Sequence, residues 1–184
     1  MNKHKIGISK FEYSGHIGSQ ELSDGPNVME QGGLLDLLSE WDCEIVENYT
    51  PRLTEKEEKA YGARHRMGLA SNHLAENVGK QIKEGIFPLG LLANCCGLMG
   101  MLAGHQKAGD SWSPLRVGLV WIDAHGDFNT PNTTLTGYFG GMPVAVCAGL
   151  AWPLPLPRQA QTYTYTCSAV RASPARTNRL LPTA

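Results

Sequence analysis

Apolar residues in this chain fall into short runs separated by stretches of helical spacing, which predicts strands joined by helices. Lys5 to Ser9 reads as a first strand, Cys43 to Val46 as a second, and Phe87 to Ala93 as a third, buried on both faces. Val117 to Ile122 has the strongest strand character, being apolar throughout and followed at once by polar residues. Pro26 is placed to open a helix, and Gly33 to Leu38 continues as amphipathic turns. The longest helix is expected from about Thr54 to Gly85. Thr54 caps an acidic first turn, Glu55-Lys56-Glu57-Glu58, and Ala70, Leu74, Val78 and Ile82 form one buried stripe. Gly62 and Gly68 weaken its early part and mark a place for a break. A small-residue helix spans Gly97 to Gly104. Strands alternating with helices imply parallel crossovers, hence a three-layer α/β/α sheet whose ligands lie beyond the carboxyl ends of the strands.

The remaining chemistry bounds the function. A length of 184 residues suits one domain, and a formal charge of −1 gives no footprint for nucleic acid. The first residues lack an apolar signal core, and no apolar stretch reaches spanning length, so no membrane partner is expected. Five cysteines, odd in number and without paired metal spacing, fit a reduced, cytoplasmic protein. Composition changes near Leu150. Residues 151–184 contain arginine but no lysine, aspartate or glutamate, and Pro153, Pro155 and Pro157 alternate. The expected division is a folded part over 1–150 and a poorly ordered, non-homologous tail over 151–184, of the kind an out-of-frame translation produces.

Asp123-Ala124-His125-Gly126-Asp127 follows the fourth expected strand. On an extended backbone, alternation sends Asp123, His125 and Asp127 to one side. Two carboxylates and an imidazole there make a site for manganese, magnesium, iron or zinc. The plainer alternative is that these side chains cap the following turn. His65, His73 and His105 read as helix-surface or helix-end residues, and His16 lies in a glycine-rich loop. Gly97, Gly100 and Gly104 lack dinucleotide-binding spacing and fit close helix packing better.

Trp121-Ile122-Asp123-Ala124-His125-Gly126-Asp127-Phe128-Asn129-Thr130-Pro131, continuing to Gly141-Met142-Pro143-Val144, resembles the arginase family of ureohydrolases. Gly25-Pro26 and Gly33-Leu34-Leu35 resemble the family's amino-terminal element, so the likeness covers about residues 5–150. It implies the first half of an arginase-like α/β fold and a hydrolase acting on linear amidines, with an arginine-like substrate. It further implies two manganese ions, Asp123 bridging them and His125 and Asp127 each serving one. Asn129, Thr134 and Thr136 would read the substrate's carboxylate; the alternative for them is ordinary turn chemistry. The family's habit of oligomerising implies a homo-oligomer.

The chain departs from that pattern in three places. Cys95 stands where the family has its first ligand histidine; a thiol favours zinc or iron over manganese, or leaves the position unliganded as a small buried hydrophobe. Gly140 stands where the family has a proton-transferring histidine. No acidic residue follows Asp127, so the family's later Asp-x-Asp ligands are missing. The expectation is therefore an arginase-like, metal-dependent hydrolase. The alternative is a catalytically incomplete metal-binding or assembly protein of the same family.

Overall fold

The computed structural model describes residues 3–14, 20–109 and 117–151. Three parallel strands form its sheet: β1 (His4–Phe11) in the centre, β2 (Cys43–Tyr49) on one side and β3 (Phe87–Leu92) on the other. Alternation along β1 divides the core into two layers. Ile6 and Ile8 point to one face, where Leu91 and the apolar side of α3 (Leu34–Glu40) cover them. Gly7, Ser9 and Phe11 point to the other face, against α5 (Ala63–Lys83) and α6 (Gly97–Ala108). Helices on both faces of a parallel sheet give the expected three layers.

The helices begin and end where their residues direct. Two short helices, α1 (Gln20–Ser23) and α2 (Gly25–Gln31), precede α3, and Pro26 lies in the first turn of α2. The helix expected over 54–85 is broken. α4 (Glu55–Glu58) carries a complete capping box between Thr54 and Glu57, and Gly62, at φ 94°, turns the chain into α5. Gly68 is accommodated inside α5. Gly85, at φ 72°, ends that helix, with the Ile86 amide donating to the Gln81 carbonyl at 2.9 Å.

Ala70, Leu74 and Val78 are buried as the stripe requires, and Ile82 packs at its margin. Their partner is α6, whose glycines permit a close approach. A Cβ on Gly104 would lie 2.5 Å from the Cβ of Val78, and one on Gly100 would lie 2.9 Å from the Ser71 carbonyl oxygen. The glycine spacing of α6 therefore serves helix packing. In the same layer Asn77 donates to the Ser9 hydroxyl at 3.0 Å, and Gln81 donates to Glu47 on β2 at 2.8 Å.

Two strand expectations need correction. β3 is an edge strand among the described residues, with Phe87 exposed rather than buried on both faces. Val117 to Ile122 is assigned to no strand. Val117, Leu119 and Trp121 pack on the core, while Val120 and Ile122 stand 85% and 93% exposed. Strand propensity alone cannot make a strand; a ladder needs a neighbouring backbone, and none of the described residues supplies one here.

No helix among the described residues is long and apolar enough to cross a membrane. The expected tail over 151–184 lies outside the described residues except for Ala151.

Candidate metal centre

The site forms where two carboxyl-terminal ends meet. After β3 the chain turns through Asn94, Cys95 and Cys96 into α6. Asn94 fixes this turn from both ends of its amide, donating to the Tyr13 carbonyl at 3.1 Å and accepting from the Cys96 amide at 3.0 Å. The Cys95 thiol is thereby held 3.9 Å from the Asp123 carboxylate. Ligand atoms of Cys95, Asp123 and Asp127 all lie within 4.8 Å of one another.

Asp127 is the most constrained of the three. It is buried and sits at φ 45°, a left-handed conformation that aspartate tolerates better than most residues. Its carbonyl accepts from the Val144 amide at 3.1 Å, which ties the motif to the start of α7 (Pro143–Cys147). Its Oδ2 is buried without a hydrogen-bond partner. A buried carboxylate oxygen left unpaired is costly unless something cationic meets it.

His125 is placed differently from the sequence expectation. Asp123 accepts a hydrogen bond from the His125 backbone amide at 2.9 Å, and the Trp121 indole donates to the His125 carbonyl at 3.2 Å. These bonds bend the chain immediately after Ile122, and the strict alternation of an extended strand is lost. The imidazole lies 81% exposed, its Nδ1 3.5 Å from Asp123 and outside the three-residue group. Cys95, by contrast, is brought fully into that group.

Burial pushes the Cys95 thiol up to about 12, with the hydrogen bond and charge of Asp127 and the charge of Asp123 adding to it. Cys96 is likewise pushed up to about 12, mainly by burial. Without a cation, then, the thiol stays protonated beside two carboxylates. A divalent ion held by Cys95, Asp123 and Asp127 would favour the thiolate and neutralise the carboxylates.

The donor set fits one divalent cation: two hard oxygens, one soft sulfur and an orphaned buried oxygen that such an ion would satisfy. Among the described residues these three form the one such group.

The expected substrate loop is built from turns. The Thr134 hydroxyl accepts from the Gly137 amide at 3.0 Å, the Thr136 hydroxyl accepts from the Tyr138 amide at 3.2 Å, and Asn129 accepts from the Thr133 hydroxyl at 3.4 Å. Of the three expected carboxylate readers, Thr136 alone lines the adjoining cavity of about 270 Å³. Arg64, at the start of α5, also lines it and donates to the Gly137 carbonyl at 3.5 Å. Sequence reasoning passed over Arg64 because it lies 59 positions before Asp123, with nothing local to mark it. The Tyr138 ring fills the space beside Gly140, where a Cβ would lie 2.6 Å from it, so a side chain there would require the ring to move. Burial raises the Tyr138 phenol above its ordinary value, and the charges of Cys96, Cys95 and Asp127 add to the shift.

Known proteins resemble this chain over most of its length. Human Arginase-1 is 30% identical over 150 residues, covering 76% of this chain and 43% of its own length. The arginase of Neurospora crassa is 32% identical over 155 residues, covering 79% of this chain and 43% of its own length. The solved native structure of the Bacillus caldovelox arginase superposes with a TM-score of 0.66 at 27% identity, covering 90% of this chain and 55% of that one. The chain thus spans about half the length, or less, of these relatives. The sequence model of the Arginase family matches residues 22–172, and this chain belongs to the arginase family.

Proposed function

We propose that this chain carries the cation-binding front of an arginase-type hydrolase, which cleaves a C–N bond of a linear amidine or guanidino compound with an arginine-like molecule as substrate. The observation that carries this reading is the convergence of Cys95, Asp123 and Asp127, with the Asp127 Oδ2 buried and unpaired. Asp127 and Asp123 would hold the cation through oxygen and Cys95 through sulfur. When bound, a divalent ion supplies Lewis acidity and lowers the pKa of coordinated water. Asp123 also orders the turn that presents His125 to solvent, where an approaching substrate meets the imidazole.

Sulfur in the donor set argues for zinc or iron over the manganese pair that the family resemblance implies. The absence of a helix suited to a membrane among the described residues, together with four free cysteines there, supports a cytoplasmic setting. Within the same reading, copies of the chain associate.

Urea release from L-arginine, measured with zinc, iron(II) and manganese in turn, tests the activity. The reading predicts release that depends on the added ion and disappears in Asp127→Ala; no release with any of the three ions contradicts it.

A second reading is favoured by one observation. The described cluster offers three donors. On this account the chain binds a cation or a relative without turning substrate over. Cation binding without urea release, together with a stable complex in light scattering, is its signature.

A further inference from the structure

The sulfur of the cluster reaches its place through a side chain that continues the sheet. β1 and β3 pair in parallel, and beyond their register the Ala93 amide donates to the Phe11 carbonyl at 2.9 Å. Bonds in such a ladder recur at every second residue, so the next would join the Cys95 amide to the Tyr13 carbonyl. The Asn94 side chain supplies a bond to that carbonyl, its Nδ2 donating at 3.1 Å. Its Oδ1 accepts the Cys96 amide hydrogen at 3.0 Å, which closes a turn around Cys95. The Gly97 and Leu98 amides then donate to the Asn94 and Cys95 carbonyls and open α6. Cys95 therefore stands where the chain leaves the sheet, gripped on both sides by one amide.

The far end of that grip is itself anchored. The Tyr13 ring packs against the core, and its phenol accepts from Arg66 Nε at 3.1 Å. Arg66 also donates to the Ala60 carbonyl at 2.7 Å, in the turn between α4 and α5. Tyr13 is thus tied to α5 as well as to β1. The Cys95 thiol, 3.9 Å from the Asp123 carboxylate, takes its position from this framework. An amide is the group that can do this, because it donates and accepts at once. A carboxylate at 94 would keep the acceptor and lose the donor, and alanine would lose both.

Resting on the reading of Cys95, Asp123 and Asp127 as a cation site, we propose that Asn94 is a positioning residue for its sulfur donor. The Asn94 amide stands in for a rung of the sheet and so aims the Cys95 thiol at the two carboxylates. Partners outside the ligand set that orient a ligand are worth about ten- to a hundredfold in metal affinity.

Cobalt(II) titration of the full chain tests this through the sulfur-to-cobalt absorption per bound ion. Loss of stability alone does not move that quantity, since only folded, loaded protein contributes to it. Asn94→Asp keeps the size of the side chain and the acceptor for Cys96, and removes the bond to Tyr13. Its added negative charge would by itself tighten cobalt binding, so affinity is not the readout for this variant. The band per bound ion is expected to fall severalfold in Asn94→Asp, and Asn94→Ala is expected to bind cobalt about tenfold more weakly than wild type. A wild-type band in Asn94→Asp, or wild-type affinity in Asn94→Ala, overturns the proposal. A wild-type chain that takes no cobalt, or takes it without a sulfur band, overturns it too and identifies the failure as that of the cation site itself.

Discussion

Helix α6 and the segment from Val117 to Asp127 are both rich in apolar residues, yet the fold treats them in opposite ways. Leu98, Met99 and Leu102 of α6 are buried against α5, and the glycines between them let the two backbones approach. Val120 and Ile122 face outward, and the chain beyond them is shaped by hydrogen bonds within its own turn. A helix satisfies its backbone internally and needs only a surface to lie on, whereas a strand needs a neighbour of the right register. Packing thus determines α6, and side-chain chemistry determines the position of the ligand motif.

Substitutions separate the two regimes. The largest effect is expected at Gly104: Gly104→Val places side-chain atoms inside the space of Val78, and thermal melting should show a loss of about 3 kcal/mol. Gly118→Ala, at a position with open space around it, should leave melting unchanged within about 0.5 kcal/mol. Equal destabilisation at the two glycines would erase the contrast.

Asp127→Asn sharpens the contrast from the other side. Asparagine tolerates φ 45° and removes a buried charge whose Oδ2 has no partner. The cation-free protein should therefore keep or gain stability, by about 1 kcal/mol at most, while cation affinity falls by about a hundredfold. A large loss of cation-free stability would mean that this carboxylate serves packing.

The sequence made the packed region readable because its signals are local. Thr54 with Glu57, the stripe on α5, Pro26 and the glycine at the end of α5 each act within a few residues of themselves. The candidate site was readable in part. Asp123 and Asp127 were legible from the motif, and Cys95 from the family's pattern. The outward turn of His125 depends on the Asp123 and Trp121 hydrogen bonds, and Arg64 reaches the cavity from α5; neither contact leaves a trace in local spacing.

The cap of α4 gives a smaller, pH-dependent effect. The Thr54 backbone amide and the His73 side chain hold the Glu57 carboxyl at about 2, below the ordinary 4.5. A depressed carboxylate stabilises the fold above its unfolded value, so this contribution is complete above about pH 4.5 and fades as pH falls toward 2. Thr54→Ala should lower stability by about 1 kcal/mol at neutral pH. Glu57→Gln should flatten the acid limb of the melting profile, and an unchanged acid limb would show that the box contributes nothing.

The smallest change is expected at Ile122. Ile122→Ser on an exposed, unpaired segment should alter melting by less than about 0.5 kcal/mol. A clear destabilisation would show that Ile122 is covered in solution, contrary to the placement described above.

The account rests most heavily on Cys95, Asp123 and Asp127 acting together as a cation site. Cobalt(II) titration followed by thiolate-to-metal absorption tests this directly. The account predicts a saturable sulfur-to-cobalt band that vanishes in Cys95→Ser and weakens sharply in Asp127→Asn. A wild-type chain that stays colourless, or a band that persists in Cys95→Ser, would contradict it.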